Sequence, residues 1–281
     1  MNKISIKYSQ FQNRSVDVGD AMKIAKQKME VKVKRLAVFD FDHTVVDDNT
    51  DIVVRDLVTK DKISSEVSLL YKKSGWTDYM QAIFEILHSN GITRADIKSA
   101  VEAIPEVAGI KKLICELCDK HNFEVIVISD SNSEFIRFWC EFHDMSKFIK
   151  TVFTNPAEFD EDGLLRIRPF HHQTECSLSS NNLCKGQILE NFMQQTQADE
   201  GIVYDTVYYA GDGRNDLCPV LRIDSCDFGC VRRGYVLEKE IDNILGNANQ
   251  DSCVKLDAQI LKWSDGNELL EKLTKTFNDG V

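Results

Sequence analysis

Three short apolar runs in this chain each end in a cluster of polar residues, and this pattern restricts the fold more than any other feature. Residues 36–39 lead into Asp40-Phe41-Asp42. Residues 123–128 lead into Ser129, Asp130, Ser131 and Asn132. Residues 207–210 lead into Gly211, Asp212, Gly213, Arg214, Asn215 and Asp216. Runs this short, continuous and rich in β-branched residues suit strands buried on both faces, and so a parallel sheet covered by helices. The spacing predicts further strands over 150–153, 164–167 and near 227–230, with Asp160–Gly163 as a turn between the first two. Helical patterns cover 52–58, 64–73, 79–89, 94–103, 110–121, 134–142, 184–195, 215–221 and 260–277. Strands alternating with helices imply right-handed crossovers, whose carboxyl-end loops open on one crevice. The three polar clusters then meet there.

Composition excludes several alternatives. The 281 residues are 43% apolar and 28% charged, which suits a globular chain, and the net charge of −11 argues against general affinity for nucleic acid. The charge is uneven: residues 1–35 hold nine Lys/Arg and three Asp/Glu, a net of +6, so the remainder carries −17. No apolar run approaches the roughly 18 residues of a membrane span, and the start lacks the apolar stretch of a secretory signal. Nine cysteines, an odd number, suggest reduced thiols in a cytosol-like compartment, so a cytoplasmic location is expected. Cys115 and Cys118 lie in a helical pattern without a matching second pair, and neither they nor Cys176 and Cys184 read as metal ligands.

Carboxylates at i and i+2, released from a strand into a loop, can divide two tasks: attack and proton transfer. Both can also offer oxygen to a hard cation. Alone the pair is weak, and each partner has an ordinary alternative. Ser129 could cap the next helix, Lys185 could be a solvated lysine, and Asp212 and Asp216 could belong to a turn. Their convergence at adjoining strand ends is the stronger signal.

In order, these motifs resemble the haloacid dehalogenase superfamily of aspartyl-nucleophile phosphatases over about residues 35–232. Residues 39–51, 127–132, Asn155-Pro156, 182–186 and 211–219 look more narrowly like the phosphoethanolamine/phosphocholine phosphatase family. That family includes members resembling pyridoxal phosphate, thiamine phosphate and pyrophosphate phosphatases. Residues 176–184 depart from its Cys- and Pro-richer version. The resemblance implies an α/β fold, a Rossmann-like parallel sheet core with a helical cap inserted after the first strand. The expected division is a loosely held extension at 1–33, with a short helix at 21–29, a catalytic core at 34–51 and 105–281, and a cap at 52–104.

The resemblance and the chemistry assign roles together. Asp40 is the expected nucleophile and Asp42 the acid/base, a role that typically contributes about 10²–10⁴-fold. Asp40, Asp42 (through its carbonyl) and Asp212 are expected to hold Mg²⁺, and Ser129 and Lys185 the phosphoryl group. Asp216 is expected behind them, on a metal-bound water or on Lys185. The expected partner is a small phosphorylated metabolite. Spare acids near the site (Asp47, Asp48, Asp51 and Asp130) would oppose a phosphate unless the substrate also carries a cation. By resemblance Asp51 and Asp130 would receive the head group, with cation–π contact from Trp76 and Tyr79 a lesser option. Phosphoethanolamine and phosphocholine fit first; pyridoxal phosphate, thiamine phosphate and pyrophosphate are alternatives. A dehalogenase needs no acid at Asp42, a P-type ATPase would carry Thr there, and a phosphate-binding module would have lost Asp42 or Asp212.

Overall fold

The computed structural model describes residues 5–6, 31–73, 75–246 and 255–278. In chain order the elements are β1 (Ser5–Ile6), β2 (Lys32–Phe39), α1 (Thr50–Arg55), α2 (Ser65–Lys73), α3 (Trp76–Ser89), α4 (Arg94–Glu102), α5 (Ile110–His121), β3 (Phe123–Asn132), α6 (Ser133–Phe142), β4 (Thr151–Asn155), β5 (Ala157–Phe159), β6 (Leu165–Ile167), α7 (Lys185–Glu200), β7 (Ile202–Gly211), α8 (Leu217–Val220), β8 (Phe228–Arg232), α9 (Val236–Gly246), β9 (Gln259–Trp263) and α10 (Gly266–Asn278). All but β5 and β6 form one parallel sheet in the order β1-β4-β3-β2-β7-β8-β9. This is the Rossmann-like α/β architecture expected.

The centre of the sheet brings the three polar clusters together. β2 lies between β3 and β7, and Phe39 is opposite Val127 on one side and Ala210 on the other. Successive side chains alternate faces. Leu36, Val38, Ile126, Ile128, Val207 and Tyr209 therefore bury against α7 and α9, while Ala37, Phe39, Val125, Val127 and Tyr208 bury against α5, α6 and α10.

Helices α1–α4 leave and return at one place. The Asp47 N–H donates to the Pro105 carbonyl at 2.8 Å, and the Val107 N–H to the Val45 carbonyl at 3.0 Å. Met80, Ile83 and Phe84 of α3 and Ile97 and Val101 of α4 share one apolar cluster with Phe39 and Phe41. A capping box at Thr93 and Asp96 starts α4.

Three expectations need correction. The pattern over 260–277 is not one helix: Gln259–Trp263 is strand β9 beside β8, and a break at Ser264-Asp265 precedes α10. Asp265 accepts from the N–H groups of Asn267 and Glu268, at 2.8 and 2.9 Å, and so starts that helix. The hairpin over Asp160–Gly163 pairs β6 with β5, whereas Thr151–Asn155 lies in the main sheet; Pro156 separates the two strands. Helix α9 was not foreseen. The helix expected at 21–29 lies outside the described residues.

Between the two acids of the first motif, Phe41 is fully buried and meets the Trp139 ring edge-on at 5.7 Å. Trp139 is fixed in turn by donating to the Ile104 carbonyl at 2.9 Å. Phe41→Ala should destabilise the fold by about 3–5 kcal/mol, since it opens a cavity under the motif. Denaturant unfolding would read this as a lower midpoint at unchanged slope; an unchanged midpoint would refute the anchoring.

Candidate active site

Lys185 opens α7, yet its side chain is fully buried. Its ammonium lies 2.6 Å from Asp40 Oδ2 and 2.8 Å from Asp216 Oδ1. Asp40 follows the end of β2, and its Oδ1 accepts from the Phe41 N–H at 2.6 Å. Asp216 is held on all sides. Its Oδ1 also accepts from the Tyr209 hydroxyl at 2.6 Å, and its Oδ2 from the N–H groups of Asp212 and Gly213, at 3.1 and 2.9 Å. Gly211 permits this approach, because a Cβ there would lie 2.4 Å from the Asp216 carboxyl carbon. Asp212 is joined by the Thr44 hydroxyl, 3.3 Å from its Oδ1.

Carboxylates outnumber ammonium here. One oxygen each from Asp40, Asp212 and Asp216 lies within 4.8 Å of the others. Burial, and then the charge of Asp216, push the Asp40 carboxyl well above its ordinary range, against the pull of Lys185. The same two causes push Asp212 up to about 8. Burial opposes the charge on Lys185, but Asp216 and Asp40 outweigh it and raise its pKa. Three buried carboxylates around one ammonium leave excess negative charge, and a hard divalent cation with oxygen ligands fits that donor set.

Asp42 occupies a different setting. Its Oδ1 accepts from the Thr50 N–H at 3.0 Å and its Oδ2 from the Thr50 hydroxyl at 3.2 Å. Thr50 Oγ1 is 2.7 Å from Ser131 Oγ, which links the first strand end to the second. Burial, and then the charge of Asp51, raise the Asp42 pKa well above its usual value. Asp51 is buried too, and its Oδ2 accepts from the Trp76 indole N–H at 2.6 Å, while Oδ1 has no hydrogen-bond partner among the described residues. Burial raises the Asp51 pKa to about 7.

A cavity of about 750 Å³ opens beside these groups. Asp42, Asp51, Asp130, Tyr71, Trp76 and Asn182 are among its lining residues. Asp47 and Asp48 are not. Asp47 pairs with Arg232 at 2.6 Å, and Asp48 accepts from the Asn49 N–H at 2.8 Å. Tyr79 stays outside the lining, with its ring 5.4 Å from that of Trp76. Ser129 is fully buried, and its hydroxyl accepts from the Ser131 N–H at 3.2 Å. It does not cap α6; Asn132 does.

Residues 35–277 match the family described as "Putative Phosphatase". The chain belongs to this phosphatase family. It is 36% identical over 245 residues to the pyridoxal phosphate phosphatase of Rattus norvegicus, covering 86% of this chain and 98% of that protein. With the human phosphoethanolamine/phosphocholine phosphatase it shares 30% identity over 229 residues, 81% of this chain and 84% of that one. The fold resembles that of a phosphoserine phosphatase solved as an analogue of its phospho-aspartyl intermediate. The TM-score is 0.55 at 16% identity, covering 86% of this chain and 99% of that chain. The chain is a phosphoric monoester hydrolase, and among its described residues no helix is long and apolar enough to cross a membrane.

Several groups that position this phosphatase's acids escaped the sequence reading: Thr50 and Ser131 at Asp42, Thr44 at Asp212, and Tyr209 at Asp216. Asn155 is another. Its side-chain amide donates to the carbonyls of Asp130 and Ser131, at 2.7 and 3.0 Å, and its Oδ1 accepts from Asn182 at 3.2 Å. Asn155 and Asn182 stood in recognised motifs, but only the fold gives them partners.

Asp51 makes stability depend on pH. Its carboxyl holds a proton up to about pH 7 in the folded chain, whereas the unfolded carboxyl ionises near about 3.9. Between those values the unfolded state gives up its proton first, so stability falls as pH rises. Asp51→Asn should flatten the decline in melting temperature between about pH 4 and 7 and leave the variant more stable than wild type at pH 8, without added metal. Superimposable pH profiles would exclude a buried, proton-holding Asp51.

Proposed function

We propose that this phosphatase is a Mg²⁺-dependent phosphomonoesterase that works through an aspartyl phosphate on Asp40. Its substrate would be a small ester whose other end carries a positively charged nitrogen. The observation that carries this reading is the pairing of the Asp40 carboxylate with a buried ammonium, 2.6 Å away, beside the carboxylates of Asp212 and Asp216. Bound Mg²⁺ would spread charge from the phosphoryl oxygens, held by Asp40, Asp212 and the Asp42 carbonyl, with Asp216 behind.

Lys185 and Ser129 would hold the phosphoryl oxygens, by charge and by hydroxyl. Asp40 would attack phosphorus, and Asp42 would protonate the leaving oxygen and then take a proton from the attacking water. The raised pKa of Asp42 suits a group that must begin protonated. Segment 52–104 would act as the cap over the core of 34–51 and 105–281. The core residues Asp47 and Pro105 that flank it are hydrogen-bonded to each other, and its Tyr71 and Trp76 line the cavity together with Asp51 of the core. Closure would exclude water during the first step.

The head-group assignment rests on Asp51 and Asp130. Both line the cavity, and Asp51 Oδ1 has no hydrogen-bond partner among the described residues. Phosphoethanolamine or phosphocholine is the first choice. Pyridoxal phosphate is a second reading, favoured by the name of the Rattus norvegicus relative and by the Tyr71 and Trp76 rings, 5.5 Å apart in the cavity wall.

Asp40→Asn should remove phosphate release almost entirely, by about 10³-fold or more, because an amide cannot serve as the nucleophile. Near-normal turnover in that variant would take Asp40 out of the role. Wild type with Mg²⁺ should also hydrolyse phosphoethanolamine, phosphocholine or pyridoxal phosphate with a higher kcat/KM than glycerol phosphate. Asp51→Asn should narrow that preference, mostly at pH above about 7, where Asp51 is ionised. Equal kcat/KM for the cationic and anionic esters would defeat the head-group assignment, and no phosphate release from any of them would defeat the whole reading.

A further inference from the structure

Cys176, Cys184 and Cys218 come from three separate parts of the chain, yet their sulfurs converge within 4.8 Å. Cys218 Sγ is 3.4 Å from Cys176 Sγ and 3.7 Å from Cys184 Sγ. Cys176 sits in the loop after β6, Cys184 caps α7, and Cys218 belongs to α8. Bonds of about 2.3 Å at tetrahedral angles hold thiolate sulfurs about 3.8 Å apart around Zn²⁺. We propose that these three cysteines form a structural Zn²⁺ site that ties the loop of residues 168–183 and α8 to the start of α7.

The surroundings suit bound thiolates. Cys184 is at the N-terminus of a 16-residue helix, where the backbone dipole favours negative charge. Arg222 stands beside Cys218 and offsets the net negative charge of three thiolates and one Zn²⁺. Gly186 leaves the room required, because a Cβ there would lie 2.7 Å from Cys218 Sγ. Ser179 Oγ, 3.5 Å from Cys176 Sγ, offers oxygen for the fourth corner, directly or through a water. Three thiols yield three protons to solvent on binding, and nothing is oxidised or reduced.

The loop is a place where such a tie would act. Residues 168–183 form no helix or strand, and structureless loops longer than about 12–15 residues are uncommon in compact domains and usually functional. Within it Gln173 is buried, donating to the carbonyls of Cys176, Ser179 and Ser180 and accepting from the Cys176 N–H, so Cys176 is presented on a fixed turn. The same loop gives Ser180, Asn181 and Asn182 to the cavity wall. Cys184 immediately precedes Lys185, and Cys218 follows Asp216 by two residues, so one ion would brace both ends of that buried pair.

The test measures metal, independently of phosphatase activity. Full-length protein, incubated with excess Zn²⁺ under reducing conditions and freed of unbound metal by gel filtration, should retain one equivalent resistant to Mg²⁺. Exchange to Co²⁺ should give a thiolate-to-cobalt charge-transfer band, which binding at the Asp40 carboxylates cannot produce. Cys176→Ser and Cys218→Ser should lose the band, while Cys226→Ser, at an exposed cysteine, should keep it. Stripping the metal should lower the melting temperature of wild type. Absence of the cobalt band in folded wild type would overturn the site even if the serine variants failed to fold, as would a band that survives in Cys218→Ser.

Discussion

The fully buried ammonium of Lys185 organises the centre of this molecule. A charge taken out of water is tolerated only with close partners, and removing one partner of such a group typically costs about 3–5 kcal/mol. Two partners come from the ends of different strands: Asp40 after β2 and Asp216 beyond β7. A third carboxylate, Asp212, is close by without a cation of its own among the described residues. The geometry is thus short of positive charge on the side where Asp40 and Asp212 face each other. The Tyr209 hydroxyl and two backbone N–H groups saturate Asp216. The unsatisfied demand therefore falls on Asp40 and Asp212, whose pKa values are both raised, and a divalent cation would meet it.

Much of this arrangement was legible in the sequence because buried parallel strands leave a plain mark. A run such as residues 125–128 has no polar face, so the first polar residues after it stand out as strand-end groups. Asp40, Asp42, Ser129, Asp130, Asp212 and Asp216 were all found this way, as was the order of strands and helices around them. The edge strand β9 was not. It is half-exposed, Gln-Ile-Leu-Lys-Trp does not read as a buried run, and its periodicity blended into that of α10. The hidden partners were illegible for another reason. Thr50 is eight residues from Asp42 and Ser131 is 81 residues from Thr50, distances over which no local pattern reports contact. Cysteines at 176, 184 and 218 likewise have no metal-ligand spacing, and only the packing of α8 and the loop of residues 168–183 at the start of α7 brings them together.

Asp40 and Asp42 illustrate how two identical side chains acquire different chemistry. Asp40 faces an ammonium, which favours its anion and opposes the effect of burial. Asp42 faces the neutral donors of Thr50 and the nearby acid Asp51, and no cation is paired with it among the described residues. In the proposed reaction the first must attack as an anion and the second must deliver a proton. Both pKa values are raised, and the charge of Lys185 opposes that rise at Asp40, whereas no cation does so at Asp42 among the described residues. The charge on Asp51 then matters beyond any head group it receives. While Asp51 is ionised it helps Asp42 keep its proton; a bound cationic nitrogen would cancel that influence and let Asp42 release the proton more readily. Recognition of the substrate's far end and proton transfer at its phosphate would thereby be coupled through one carboxylate.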